Sequence, residues 1–337
     1  MNPRPRISRQ ILLLVAALLP AAGCTGPSPG RFDPRERPLP DGVEAVSLLG
    51  EPLRRPNLPA DVRHERLERL EDARAAFEVA PDDVDAAVWL GRRTAYLGRY
   101  REAIEIYTEA LVRHPESAKL RRHRGHRFLT VRRIDEATRD LEEAARLVAG
   151  TPDEVEPDGM PNPHGVPTST LQSNIHYHLG LARYLAADFE GARRAYEEAL
   201  VVSKNPDMLC ATTYWLYLTL RRLGRDEEAA RLLAAIHDEM EILENHAYHR
   251  LLLFFQGHET SDSILEDARG AGDSLDGATL GYGVGAWYRV QGDRERAVRC
   301  FRDVLRSAPW PAFGFLAAEA ELARETRGSG RSSPGPG

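Results

Sequence analysis

Small and apolar residues recur along this chain at fixed distances. In the clearest stretch Leu90-Gly91 is followed, twelve residues after the glycine, by Ala103, and then by Tyr107, Ala110 and Pro115. The same ruler fits Gly125, Ala137, Leu141 and Ala144, then Gly180, Ala192, Tyr196 and Ala199, then Gly285, Ala297, Phe301, Val304 and Pro309. A weaker copy has Tyr217 in the glycine place, followed by Ala229, Leu233 and Ile236. Steps of three and four keep such residues on one helix face, so each copy predicts helical segments with a small-residue stripe.

The intervals count the copies. Ala103 to Ala137 is 34 residues, and Ala137 to Ala192 is 55. The excess is the polar, proline-rich stretch 150–170, which reads as a 21-residue insertion. Ala192 to Ala229 is 37, a copy with a longer link at Asn205-Pro206, and Ala229 to Ala297 is 68, twice the period. A degenerate copy is therefore expected at about 244–277, its ruler falling on Leu251, Ser263 and Gly270. Stepping back one period from Pro115 reaches Pro81, so a helix over about 61–79 is the second half of an opening unit. A fixed period of this length is the mark of a repeat array.

The pattern resembles the tetratricopeptide repeat, most closely from Val84 to Pro115 with Gly98-Arg99-Tyr100-Arg101-Glu102 as the turn; the usual early tryptophan place holds Ala87, with Trp89 two residues on. The resemblance implies an all-α, right-handed superhelical solenoid of helix-turn-helix units over residues 60–325. Two antiparallel helices approach closely at the Gly and Ala places, a bulky aromatic fills the gap between hairpins, and proline closes the unit. Ala312 to Arg324 suits a polar-backed C-terminal capping helix.

The ends read differently. Arg4, Arg6 and Arg9 precede an apolar run from Ile11 to Leu19, followed by Ala21-Ala22-Gly23-Cys24. Nine apolar residues are too few to span a bilayer, which takes about 20. The order resembles a bacterial lipoprotein signal, with Ala21 where leucine is usual. It implies a signal peptide over 1–23, a lipid on Cys24 that anchors the chain to a membrane and a place in the cell envelope. Thr25, not Asp, after the cysteine resembles outer-membrane sorting in a Gram-negative cell. Residues 24–59, with eight prolines in 25–59, read as a tether and 326–337 as a disordered tail.

Composition then removes function classes. A net charge of −6 gives no general pull towards nucleic acid. Neither lysine, Lys119 nor Lys204, follows glycine, so a P-loop is excluded. His258-Glu259 has no second histidine at zincin spacing, and Gly281-Tyr282-Gly283-Val284-Gly285 lacks both a sixth glycine and a preceding strand. No catalytic residue, cofactor or metal site is expected. Three histidine pairs, His123/His126, His176/His178 and His246/His249, read as packing or surface residues, although His126 and one of His176 or His178 can converge from consecutive first helices. Cys210 and Cys300 read as small buried hydrophobes. The run Arg121 to Arg127 spreads around a helix, offset by the acidic stretch Asp135 to Glu143, and implies no nucleic acid.

In tetratricopeptide arrays the first helices line the concave face. That places Arg92, Tyr96, Arg122, His126, Tyr177, Tyr184, Tyr214, Arg221 and Tyr282 on the inner side as groove-binding candidates. Arginine clamps carboxylates and tyrosine offers contact area with a hydroxyl. The expected partner is a protein or extended peptide bearing carboxylates, bound without chemistry. The alternative is a solute-binding lipoprotein for glycan or nutrient, with the tyrosines and Trp215 as its aromatic platform.

Overall fold

The computed structural model describes residues 39–329, so the signal region, Cys24, the first part of the expected tether and residues 330–337 lie outside it. Six complete helical hairpins follow one another. They are α2 (Val84–Tyr96) with α3 (Tyr100–Arg113), α4 (Ala118–Thr130) with α5 (Ile134–Val148), and α6 (Leu171–Leu185) with α7 (Phe189–Val202). Then come α8 (Pro206–Arg222) with α9 (Asp226–Leu233), α10 (His246–Phe255) with α11 (Ser261–Gly270), and α12 (Leu275–Val290) with α13 (Arg294–Ser307). Helix α1 (Ala60–Val79) precedes them and α14 (Phe313–Ser329) follows. Each hairpin packs on the next, which is the all-α solenoid that the ruler implies.

Local chemistry sets the ends of these helices. Side chains of Asp83, Ser117, Thr170, Asn205 and Ser274 accept backbone N–H groups at the starts of α2, α4, α6, α8 and α12. The turn inside each hairpin holds one residue in the left-handed region, at Gly98, Arg132, Ala187, Gly224, Gly257 and Gly292. Elsewhere the second helix begins two residues after it, but α11 begins four residues after Gly257. That longer turn shifts the degenerate hairpin off the ruler: Leu251 is buried as expected, but Ile264 and Ala268 are the buried residues of α11, and Ser263 and Gly270 are exposed.

The glycine places act as sockets. A Cβ on Gly91 would stand 2.3 Å from the Tyr107 ring, one on Gly180 2.5 Å from Tyr196, one on Gly285 2.7 Å from Phe301 and one on Gly125 2.8 Å from Leu141. Each bulky residue of a second helix thus lies over the glycine of its own hairpin. In the degenerate hairpin Leu251 fills the socket, and the next first helix yields instead: a Cβ on Gly283 would meet Leu251 at 2.4 Å.

Three expectations change. The stretch 39–59 is no tether: β1 (Val43–Val46) and β2 (Pro52–Arg54) form an antiparallel hairpin with Val43, Ala45 and Leu53 buried. The tail begins later, since α14 runs to Ser329. Helix α14 follows α12 and α13 as a closing helix should, but it has no polar back. Ala317, Ala318, Glu319, Ala320 and Glu321 are all buried, because α14 also reaches α6 across the inner side.

Candidate functional site

The first helices turn their inner faces towards one another, and over most of the array those faces meet. Tyr184 of α6 and Tyr282 of α12 share a hydroxyl hydrogen bond of 2.8 Å. Trp215 of α8 donates its indole N–H to the Tyr177 hydroxyl at 2.9 Å, which lies 3.1 Å from that of Tyr248 in α10. Trp215 stacks on Tyr282 and meets Tyr184 edge-on. Burial raises the phenol pKa of Tyr177, Tyr184, Tyr214 and Tyr282, which keeps these hydroxyls neutral; those of Tyr177, Tyr184 and Tyr282 are hydrogen-bonded, whereas the Tyr214 hydroxyl is buried without a hydrogen bond. These four tyrosines and Trp215 therefore form a core. They offer neither a groove wall nor an aromatic platform for a glycan in this conformation, which corrects the expectation for both readings. Arg221 is also elsewhere: its guanidinium bonds Asp226 at 2.8 Å and the Tyr217 hydroxyl at 2.8 Å within its own hairpin.

The other four candidates come together. Arg92, Tyr96, Arg122 and His126 line a cavity of about 110 Å³ with His123 and Arg127. Beyond Tyr96 lies a recess of about 270 Å³ bounded by Arg66 and Arg69 of α1, Arg93 of α2, and Met160 and Pro161 of the insertion. Arg93 stacks on the Trp89 ring, 4.8 Å from its centroid. Burial, with Arg69 and Arg92 nearby, lowers its pKa, although Tyr96 works the other way. Of these arginines only Arg92 and Arg122 were singled out from sequence. Arg66 and Arg69 belong to a helix read only as half of an opening unit, and Arg93 neighbours a singled-out residue.

A carboxylate of the chain itself sits in this region. Glu156 of the insertion is buried, with one oxygen 3.0 Å from Arg122 Nε as an ion pair and accepting at 3.0 Å from the Asn174 amide. Its other oxygen is 3.3 Å from His123 Nε2 and 4.0 Å from Arg92 Nη1. Arg122 also lies 3.0 Å from His123 Nδ1. A guanidinium has only donors, so Nδ1 accepts and Nε2 carries the proton towards Glu156. The rest of the arginine run is spent as expected for inter-helix pairs: Arg121 and Arg124 bind Asp140 of α5, and Arg127 lies over the Tyr100 ring.

His126 and His178 do converge, with ring centroids 4.4 Å apart, and Phe313 at the start of α14 packs on both. Burial first, and the nearby Arg122 and Arg127 next, hold both imidazoles neutral, with pKa values well below the ordinary one. Among the described residues no three or more His, Cys, Asp or Glu side chains stand close enough to hold a metal ion. Cys210 and Cys300 are free and buried, their thiols pushed up to about 12 and about 11 by burial.

Residues 93–119 match the tetratricopeptide repeat family profile. No curated protein matches the chain. Solved structures with a similar arrangement include YrrB, described as a tetratricopeptide protein with an unusual peptide-binding site, at 15% identity, with a TM-score of 0.41, covering 77% of this chain and 99% of that one. A tetratricopeptide repeat protein from Parabacteroides merdae aligns at 16% identity over 79% of this chain and all of that one, TM-score 0.44. PilF of Pseudomonas aeruginosa aligns at 17% identity over 73% and 90%, TM-score 0.41.

Proposed function

We infer that this tetratricopeptide-type solenoid is a non-catalytic scaffold that binds a protein or peptide partner at the α1–α2–α4 end of its inner side. The observation that carries this reading is the grouping of Arg66, Arg69, Arg92, Arg93 and Arg122 around Tyr96, beside two cavities, in an otherwise acidic chain. Guanidinium groups around an aromatic ring suit an extended segment that carries carboxylates and exposes its backbone carbonyls. The Cys24 anchor would hold the scaffold at the membrane of the cell envelope, with the outer membrane as its proposed place in a Gram-negative cell. Nothing in the buried aromatic core favours the solute-binding alternative.

Two measurements test the reading. In-cell crosslinking in the native host, followed by mass spectrometry, should recover a protein whose yield falls with Arg92→Ala and Arg93→Ala and with rising salt. Recovery that ignores both substitutions and salt defeats the site. Labelling with a lipid precursor should mark the wild-type chain and not Cys24→Ser, and label on the variant defeats the anchor.

A further inference from the structure

The insertion does more than supply one carboxylate. From Glu156 to Pro161 it runs, without regular secondary structure and with a bend at Gly159 and Met160, across the first helices, from α4 through α2 to α1. Glu156 meets Arg122 and His123 of α4. The Pro157 carbonyl accepts from Arg92 at 2.7 Å and the Gly159 carbonyl from Arg93 at 2.9 Å, both in α2. Met160 and Pro161 then border the recess against α1. Gly159 passes so close to Tyr96 that a Cβ there would overlap its hydroxyl oxygen. Side-chain and backbone-carbonyl contacts to successive helices are how a peptide lies in a groove.

The fit is also incomplete. Glu156 and Gly159 are buried, but Pro157, Met160 and Pro161 are exposed, so the segment is held by polar bonds with little apolar burial. Asp158 Oδ2 is buried without a hydrogen bond, and desolvation, with Glu244 and Glu156 nearby, raises the pKa of that carboxyl. A segment held by a few polar contacts, with one buried carboxylate oxygen left unsatisfied, opens at lower cost than the helices beneath it.

We propose that residues 156–161 are a built-in competitor that occupies the peptide groove and is displaced by a partner segment of the same chemistry. That partner segment is extended and acidic, with a carboxylate for Arg122 and His123 and small or imino residues where the chain passes Tyr96. The proposal rests on the scaffold reading above and deepens it, by naming what fills the site at rest and what it selects. Binding affinity is then reduced by the fraction of molecules whose groove is closed.

The test uses a labelled synthetic peptide of residues 152–163 and the full-length chain with 154–168 replaced by a Gly/Ser linker of equal length. The linker variant should bind the peptide at least tenfold tighter than the wild-type chain, more weakly as salt rises, and Arg122→Ala in that background should remove the gain. A linker variant that melts cooperatively yet binds no better than wild type overturns the proposal. Should the linker variant fail to fold, Glu156→Gln in the intact chain reads the same equilibrium. It should bind the peptide several-fold tighter than wild type, and no gain in the folded variant overturns the proposal. Peptide binding is scored without any cellular partner, so its failure is distinguishable from failure to capture a partner in cells.

Discussion

Arg132 and Glu319, 187 residues apart in sequence, meet as a buried ion pair that ties the turn of the second hairpin to the last helix. Both Nε and Nη2 donate to the same oxygen, Oε2, at 3.1 and 2.7 Å, and Nη2 also donates to the Trp310 carbonyl at 3.0 Å. The other oxygen accepts the Leu48 N–H of the β-hairpin. Arg132 stands at the left-handed turn position that four of the six hairpins give to glycine, at φ 64°. A left-handed L-residue costs roughly 1–2 kcal/mol. The arginine is held there by what its side chain joins: the β-hairpin, the second helical hairpin and α14.

Substituting either partner should therefore destabilise the chain. Glu319→Ala strands the guanidinium in the interior, and removing one partner of a buried pair costs about 3–5 kcal/mol. Arg132→Gly discriminates between roles. If the position mattered only as a turn, glycine would relieve backbone strain and raise the urea midpoint. The buried carboxylate left behind should instead lower it.

The glycine sockets give a second contrast. Gly180→Ala gains about 1 kcal/mol of helix propensity but forces Cβ to within 2.5 Å of the fully buried Tyr196 ring. Overpacking of this kind costs about 1–3 kcal/mol, and the backbone of α6 cannot retreat without opening its hairpin. The melting temperature should fall by several degrees. At Gly270, exposed in the last turn of α11, an added Cβ meets nothing within 4 Å, and the same change should leave the temperature level or raise it.

What the sequence made legible was the part of the fold that repeats. Gly91 and Tyr107 lie sixteen residues apart, and so do Gly180 and Tyr196; short-range spacing alone brings each pair together. Tyr184 and Tyr282 lie 98 residues apart, and their contact depends on how tightly successive hairpins curve. A ruler for one hairpin carries no information about that curvature, so tyrosines expected to line an open groove turned out to fill it. The site was half legible for the same reason: Arg92 and Arg122 follow from the repeat, while the path of Glu156 across them is set by an insertion outside it. The β-hairpin was missed because its prolines outweighed Val43, Ala45 and Leu53, and its anchor lies at the far end of the chain.

Asp207 links the regular array to its irregular hairpin. It sits in the first turn of α8, fully buried, and its carboxylate accepts the N–H groups of Leu243, Glu244 and Asn245 at 3.0, 2.9 and 2.8 Å. Asp207→Ala leaves three part-buried donors without their acceptor, each costing up to about 1–3 kcal/mol where water does not reach it. The loss should be local. Hydrogen exchange should speed up in α10 and α11 while α2 to α5 keep their protection. A uniform rise across all hairpins would show that the staple acts on the whole array.

Acid should loosen the inner side through its histidines. His123, His126 and His178 all have folded pKa values well below the ordinary imidazole value of 6.5, because burial and the cations Arg92, Arg122 and Arg127 oppose a further positive charge. Glu156 faces His123 at 3.3 Å and does not reverse that balance. Below about pH 6.5 the unfolded chain binds protons at these positions that the folded chain refuses, so stability falls as pH falls. The contribution is fully present above 6.5 and is lost progressively below it, towards the depressed folded values. Asp158 acts in the opposite sense, since its raised carboxyl pKa favours the folded chain on acidification. Urea unfolding from pH 8 to 5 should show a declining midpoint that starts near 6.5. In His126→Phe, which keeps a ring against Phe313 without a titrating nitrogen, the decline should be shallower, and an unchanged slope would mean that another group carries the effect.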